Sequence, residues 1–256
     1  MKIGIFDSGI GGLTVLKEAL KVLPGESYLY YADSANVPYG TKEKETVRKY
    51  IFDAVAFLAS QEVKALVIAC NTATSIAVED LRRAYGFPIL GMEPAVKPAI
   101  GMRAGKRVLV LATALELKEE KFKSLVGRLD SENIVDSRPM PGLVDFAEAL
   151  IFDRDTVLAY LKREFSEIEM ENYGTVVLGC THYLYYRDVI REMFPDGTEI
   201  IDGNEGTVRH LTNILQDKEL LGAGGRGTTE FFVSGGRPAE RSRFDRCLKV
   251  LDKNGP

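Results

Sequence analysis

Tryptophan is absent from this 256-residue chain, cysteine occurs only three times, and there is neither a basic excess nor a long apolar run. Each shortage excludes something. Lysine and arginine number 33 against 37 aspartates and glutamates, a formal charge of −4 with no block of one sign, whereas nucleic-acid binders display a basic face. Apolar stretches such as Val108–Leu115 fall far short of the ~20 residues that a membrane helix needs. Met1 runs directly into the strand-like Lys2–Phe6, leaving no room for the charged and apolar regions of a secretory signal. An odd count of three cysteines does not make a disulfide framework and fits a reducing cytoplasm. The length itself suits two modest domains or one large one.

What is present is an alternation of β-branched runs and amphipathic stretches. Ile3–Phe6, Ser27–Ala32, Ala65–Ala69, Ile89–Met92, Val108–Ala112, Ile134–Asp136, Thr175–Leu178, Glu199–Ile201 and Glu230–Val233 read as strands. Most are continuous apolar runs, as expected of strands buried on both faces of a parallel sheet. Helical patterns cover Leu13–Val22, Lys44–Gln61, Ala73–Ala84, Lys118–Leu129, Pro141–Ile151, Thr156–Glu167, Tyr186–Met193, Asn204–Leu215 and Ala239–Lys253. This order predicts an α/β sandwich built from right-handed crossovers.

The two halves echo each other. Lys2–Ser8 matches Arg107–Thr113, each a strand ending in a small hydroxyl residue, and Ala65–Thr72 matches Thr175–His182, each a strand running into cysteine and polar residues. Ser8 precedes Thr113 by 105 residues and Cys70 precedes Cys180 by 110, close enough for one duplicated unit. The expectation is two pseudo-symmetric α/β domains with mainly parallel sheets and a cleft between them. Residues 1–97 with 207–256 would carry Cys70, and residues 98–206 would carry Cys180.

Asp7-Ser8-Gly9-Ile10-Gly11-Gly12-Leu13-Thr14 follows the first strand and opens the first helix, where a dinucleotide fingerprint belongs. Asp33, at the end of the second strand, stands where a ribose-binding acid would. The fit fails in detail: the third glycine of the fingerprint falls on Thr14, and Asp7 would repel a pyrophosphate. Asp7 suits an ammonium group better, with the glycine-rich turn and helix N-terminus left for a small carboxylate. Simple helix capping by Asp7 and Ser8 would leave the three glycines unexplained.

Cys70 and Cys180 share one setting, the carboxyl end of a buried strand, followed by hydroxyl or amide residues that open a helix. Ligands of open α/β sheets bind at such ends, and a helix N-terminus lowers a thiol pKa from ~8.5. With Asp7, Asp33 and His182 they make a usable set of acids and bases. A phosphatase loop would need an arginine where Ile76 and Tyr186 stand. A zinc site from Cys70, Cys180 and His182 has none of the usual ligand spacing. A single-nucleophile amidase would leave one cysteine idle. Two matched thiols suit two proton transfers on opposite faces of one carbon, as racemisation requires. Cys247 shares an amphipathic helix with Phe244, Leu248 and Leu251 and reads as core.

On these residues the chain resembles the glutamate racemases, a cofactor-independent group of the aspartate/glutamate racemase superfamily. The matching segments are Ile5–Val15, Val37–Gly40, Ala69–Ala73 and Leu178–Tyr183, with Phe231–Gly235 and Phe244 resembling the group's closing strand and helix. The resemblance implies PLP-independent interconversion of L- and D-glutamate, and hence supply of peptidoglycan precursors. It implies that Cys70 faces the α-proton of the D-enantiomer and Cys180 that of the L-enantiomer. Asp7 and His182 would assist their respective thiols, with Glu148 near the second. Asp7, Ser8, Tyr39, Gly40, Asn71, Thr72, Thr181 and His182 would bind the amino acid. No metal or organic cofactor is implied, no cofactor lysine is evident, and relatives are commonly homodimers.

The chain departs from the pattern in two places. A threonine of Ala-Thr-x-x-Thr is replaced by Glu116, which would repel a substrate carboxylate if it lined the site. The proline expected after Thr181-His182-Tyr183 is Leu184, followed by Tyr185-Tyr186 where aliphatics are usual. A racemase of different or broader specificity, such as for aspartate, and a catalytically silent binding protein of the same fold are the alternatives.

Overall fold

Alternate residues of each strand enter different cores, which is why the apolar runs are continuous. Ile3 and Ile5 of β1 (Ile3–Asp7) point to one side of their sheet and Phe6 to the other. Leu109 and Leu111 of β5 (Arg107–Ala112) likewise face away from Val108 and Val110. The inner sides of both sheets feed one shared core. A computed structural model describes residues 1–253 apart from Ala223, Arg226 and Glu240.

In the first sheet β1 lies between β2 (Tyr28–Ala32) and β3 (Ala65–Ile68), with β4 (Ile89–Gly91) outside β3, all parallel. The second sheet repeats that order. β5 lies between β6 (Val135–Pro139) and β7 (Tyr173–Leu178), with β8 (Glu199–Asp202) outside β7, again all parallel. The chain then returns to the first sheet, adding β9 (Thr229–Val233) parallel to β2 and β10 (Arg237–Pro238) antiparallel to β9. The strand order within each half, β2-β1-β3-β4 and β6-β5-β7-β8, is the duplication expected from the sequence echo.

The helices are α1 (Leu13–Val22), α2 (Lys44–Ser60), α3 (Asn71–Ala84), α4 (Val96–Met102), α5 (Ala114–Lys118), α6 (Glu120–Leu129), α7 (Pro141–Glu148), α8 (Arg154–Glu164), α9 (Arg187–Arg191), α10 (Asn204–Asp217) and α11 (Arg241–Lys253). Several differ from the sequence expectation for local reasons. α4 escapes periodicity because Pro98 and Gly101 interrupt it. The expected Lys118–Leu129 helix begins two residues later, as α6, because Glu119 is extended; its buried carboxylate accepts from Lys44 Nζ at 2.6 Å, and the short α5 ends just before it. α7 stops at Glu148 because Leu150 turns left-handed (φ 58°) and Ile151 N–H returns to the Phe146 carbonyl at 2.8 Å. Thr181–Tyr186 is a 3-10 turn before the short α9, so only part of the expected Tyr186–Met193 helix forms. Glu240, inside the expected Ala239–Lys253 helix, and residues 254–256 lie outside the described residues.

One buried ion pair closes the far end of the first sheet. Lys64, just before β3, donates to Glu26 Oε2 at 2.5 Å and to the Leu220 carbonyl at 2.7 Å, while Glu26 Oε1 accepts from Gly222 N–H at 2.6 Å. Both side chains are 6% exposed. Removing one partner of such a pair strands a buried charge. Lys64→Met is therefore expected to cost about 3–5 kcal/mol, and Lys64→Met with Glu26→Leu to recover most of it. Urea unfolding measures both, and a single variant as stable as the parent would contradict the assignment.

Candidate active site

The carboxyl ends of the central strands converge on one cavity. β3 delivers Cys70 through Ala69, whose N–H donates to the Phe6 carbonyl at 2.8 Å. Cys70 caps α3, its Sγ accepting from Ala73 N–H at 3.4 Å. β7 delivers Cys180 through Gly179, whose N–H donates to the Leu111 carbonyl at 2.7 Å. A side chain at Gly179 would stand 2.8 Å from that same carbonyl. Both cysteines are 7% exposed, and both line the cavity.

The two sulfurs have different neighbours. Cys180 Sγ lies 3.8 Å from His182 Nδ1, and His182 Nε2 lies 2.7 Å from Glu148 Oε1. That same oxygen accepts from Ile10 N–H at 2.8 Å. Burial opposes charge on the His182 ring, but Cys180 and Glu148 outweigh it and hold its pKa well above the ordinary value. Burial would raise the Glu148 pKa, yet His182, Ile10 and Arg243 together bring it below the usual carboxylate value. Both directions favour a protonated ring against an ionised carboxyl, the arrangement in which both ring nitrogens donate.

Cys70 has no histidine. Burial and the nearby Asp7 carboxylate push its thiol up, against the helix N-terminus that alone would lower it. The expected lowering is therefore reversed at Cys70, because desolvation exceeds what one helix end provides. The Ser8 hydroxyl bonds the sulfur and offsets only part of this. Asp7, fully buried at the end of β1, has a raised pKa because of burial, partly offset by His182. It accepts from Gly9 N–H at 2.9 Å and from Thr181 Oγ1 at 3.2 Å, so a residue of the first sheet holds one that follows the second.

The glycines of the first turn serve close approach between chain segments. A Cβ on Gly9 would sit 1.8 Å from Glu148 Oε1, one on Gly11 2.3 Å from Thr181 Oγ1 and 2.4 Å from His182 Nδ1, and one on Gly12 2.6 Å from Asp7 Cβ. Gly40 is alike: its Cβ would meet Thr113 Cβ at 2.6 Å. Thr113 caps α5, and its hydroxyl lies 2.8 Å from that of Thr72, closing the cavity from the opposite half.

The structure brings Ser8, Tyr39, Gly40, Asn71, Thr72, Thr181 and His182 to the cavity wall beside both cysteines. Asp7 and Glu148 stand behind that wall, reaching it through Thr181 and His182. Tyr39 presents its ring while its hydroxyl donates to Asp33 Oδ2 at 2.6 Å. Asp33 also accepts from Asn36 and Ser234, so this candidate acid is absorbed in holding the loop around Tyr39. Glu116 is fully buried and does not line the cavity, and burial holds its pKa well above normal. The repulsion expected of it does not arise. Tyr185 and Tyr186 donate to the carbonyls of Ile10 and Ile151, each at 3.0 Å, work that aliphatics could not do. Cys247 is buried in the core away from the cavity, as expected.

Sequence reasoning passed over Pro141 and Val144, which line the cavity from α7, and Arg243, which holds Glu148 from outside. An apolar wall has no motif; the only available signal was that α7 also carries Glu148. Among the described residues no group of three or more His, Cys, Asp or Glu side chains could hold a metal ion, and no helix is long and apolar enough to cross a membrane.

Against this geometry the comparisons with known proteins agree with one another. A sequence model of the family described as Asp/Glu/Hydantoin racemase matches residues 13–211. A glutamate racemase of Halothermothrix orenii is 58% identical over 252 residues, covering 98% of this chain and 99% of the relative. The crystal structure of a glutamate racemase isoform from Bacillus anthracis superposes with a TM-score of 0.86 at 31% identity, covering 98% of this chain and 94% of the other. That of Escherichia coli glutamate racemase, in complex with L-glutamate and an activator, superposes with a TM-score of 0.83 at 27% identity, covering 99% and 95%. With similarity running end to end and matching in fold, the chain belongs to the Asp/Glu/hydantoin racemase family, among its glutamate racemases.

Proposed function

We propose that this enzyme interconverts L- and D-glutamate with two cysteines acting on opposite faces of the α-carbon. The observation that carries the proposal is that Cys70 and Cys180, at equivalent strand ends of the two sheets, line one cavity. Residues 1–97 with 207–256 then form the lobe that supplies Cys70, and residues 98–206 the lobe that supplies Cys180.

In the L-to-D direction the Cys180 thiolate takes the α-proton, and the electron pair left on carbon spreads into the adjacent carboxylate. The Cys70 thiol then delivers its proton to the opposite face. Proton exchange afterwards restores a thiolate at Cys180 and a thiol at Cys70. The unequal surroundings support this order: a raised pKa keeps Cys70 a neutral acid, while the His182 imidazolium lies beside Cys180. Asp7 draws the ammonium towards Cys70, and Ser8, Tyr39, Gly40, Asn71, Thr72, Thr181 and His182 bind the amino acid. Their donors are held in place before the carbanion forms, in a water-poor cavity where they act strongly. The E. coli relative crystallised with L-glutamate supports the same substrate here. Production of D-glutamate for peptidoglycan in a bacterial cytoplasm is the corresponding role.

Three outcomes are expected. Incubated separately in D2O with L-glutamate, L-aspartate and other amino acids, without added cofactor, the enzyme should deuterate and racemise glutamate. No exchange with any of them would end the proposal, and exchange with aspartate alone would reassign the substrate. Cys70→Ala and Cys180→Ala should each lower racemisation by about 10²–10⁴-fold, the usual contribution of a positioned acid or base. Cys247→Ala should leave turnover largely intact, and normal racemisation by either of the first two would refute the two-thiol scheme. Gly11→Ala should lower kcat/KM by about 10²-fold, because its methyl group must displace Thr181 and His182. A variant with parental kinetics would show that this close approach is dispensable.

A further inference from the structure

Glu148 is gripped from three directions, and only one of its partners comes from outside the cleft. Oε1 takes Ile10 N–H and His182 Nε2. Arg243, on α11, donates from Nη2 to Oε2 at 3.1 Å and to the Glu148 carbonyl at 3.2 Å. One guanidinium nitrogen therefore holds both the side chain and the backbone of the same residue at the last turn of α7. Arg243 reaches its place because its neighbour Phe244 is anchored, stacked on Phe231 with ring centres 5.0 Å apart and edge-on to Tyr30 at 5.7 Å. Tyr30 in turn donates to the Gly9 carbonyl at 2.7 Å. The helix that carries Arg243 is thus fixed to the same glycine turn that Glu148 touches.

We infer that Arg243 is a positioning residue for proton transfer at Cys180, acting through Glu148 and His182, and that Cys70 has no counterpart. The inference rests on the two-thiol proposal above. Without Arg243, Glu148 Oε2 loses its partner, the carboxylate is free to turn, and His182 loses the oriented acceptor that keeps it charged beside Cys180 Sγ. Charge-assisted hydrogen bonds of this kind are roughly twice as strong as neutral ones. The chain of contacts from Cys180 runs Sγ to His182 at 3.8 Å, His182 to Glu148 at 2.7 Å, and Glu148 to Arg243 at 3.1 Å. Around Cys70 the partners are Ala73 N–H, Ser8 and Asp7, and among the described residues none of these is hydrogen-bonded to α11.

Enantiomers have equal free energy, so kcat/KM must fall equally in both directions, and rate alone cannot tell which thiol is affected. Deuterium at the α-carbon can. From α-deuterated L-glutamate the label is transferred to Cys180, and from α-deuterated D-glutamate to Cys70. Arg243→Met should lower kcat/KM about tenfold, a loss of about 1.4 kcal/mol. Its primary isotope effect should rise with deuterated L-glutamate and fall with deuterated D-glutamate, because the step at Cys180 becomes more limiting. Arg243→Lys should restore much of both the rate and the balance. Placed on Glu148→Gln, Arg243→Met should add little, since the two residues act in one line.

A misfolded fraction lowers the rate but leaves isotope effects unchanged. A slower Arg243→Met enzyme with the parental pair of isotope effects would therefore overturn the inference. So would a full additional loss on the Glu148→Gln background. A parental enzyme that takes up no solvent deuterium at the α-carbon from either enantiomer in D2O would remove the two-thiol proposal, and this inference with it.

Discussion

The cleft depends on how closely one backbone turn, Gly9–Gly12, approaches side chains that follow the opposite sheet. A methyl group at Gly9 or Gly11 would overlap Glu148, Thr181 or His182 outright. With no side chain in the way, the Ile10 N–H reaches the Glu148 carboxylate, and Asp7 reaches the Thr181 hydroxyl. The two halves thereby exchange polar groups across their boundary while their inner faces share one apolar core. Burial there is costly to charge, and pairing offsets it: Glu148 takes His182 Nε2 and Ile10 N–H, and Asp7 takes Gly9 N–H and the Thr181 hydroxyl.

From this contact follows an electrostatic division of labour that symmetry alone would not provide. Duplicated strands place two equivalent cysteines, yet each has a neighbour of opposite kind. Cys70 has the Asp7 carboxyl nearby, which with burial raises its pKa; Cys180 has the His182 ring, whose pKa is held well above its ordinary value. Under the proposed mechanism the acid stands on the Cys70 face of the cavity, and the sulfur on the other face lies beside the His182 ring.

Much of this was legible in the sequence. The echo of Ala65–Thr72 in Thr175–His182 carries both the duplicated topology and the matched thiols, because a buried strand end has few ways to present a polar residue. The three glycines were legible as unusual, but the reason for them was not. The tight neighbours of Gly9 and Gly11, namely Glu148, Thr181 and His182, are more than a hundred residues away, and no local rule links them. Tyr39 shows the same limit, since its hydroxyl is turned to Asp33 by a loop whose course depends on Ser234. The extended Glu119 before α6 was hidden because its partner Lys44 lies 75 residues earlier.

The departures from the family pattern separate into compensated and uncompensated changes. Tyr185 and Tyr186 add hydroxyls whose donors find carbonyls at Ile10 and Ile151, so each larger side chain brings its own partner. Tyr185 even returns its bond to the glycine turn, strengthening the contact on which the cleft rests. Glu116 brings none, for both its carboxyl oxygens are buried without a hydrogen-bond partner. Leaving such a group unsatisfied costs about 1–3 kcal/mol, and its raised pKa, which keeps it neutral, limits the cost to that of a polar group rather than a charge. Burial is thus the largest influence on both Cys70 and Glu116, raising the thiol in one half and the carboxyl in the other.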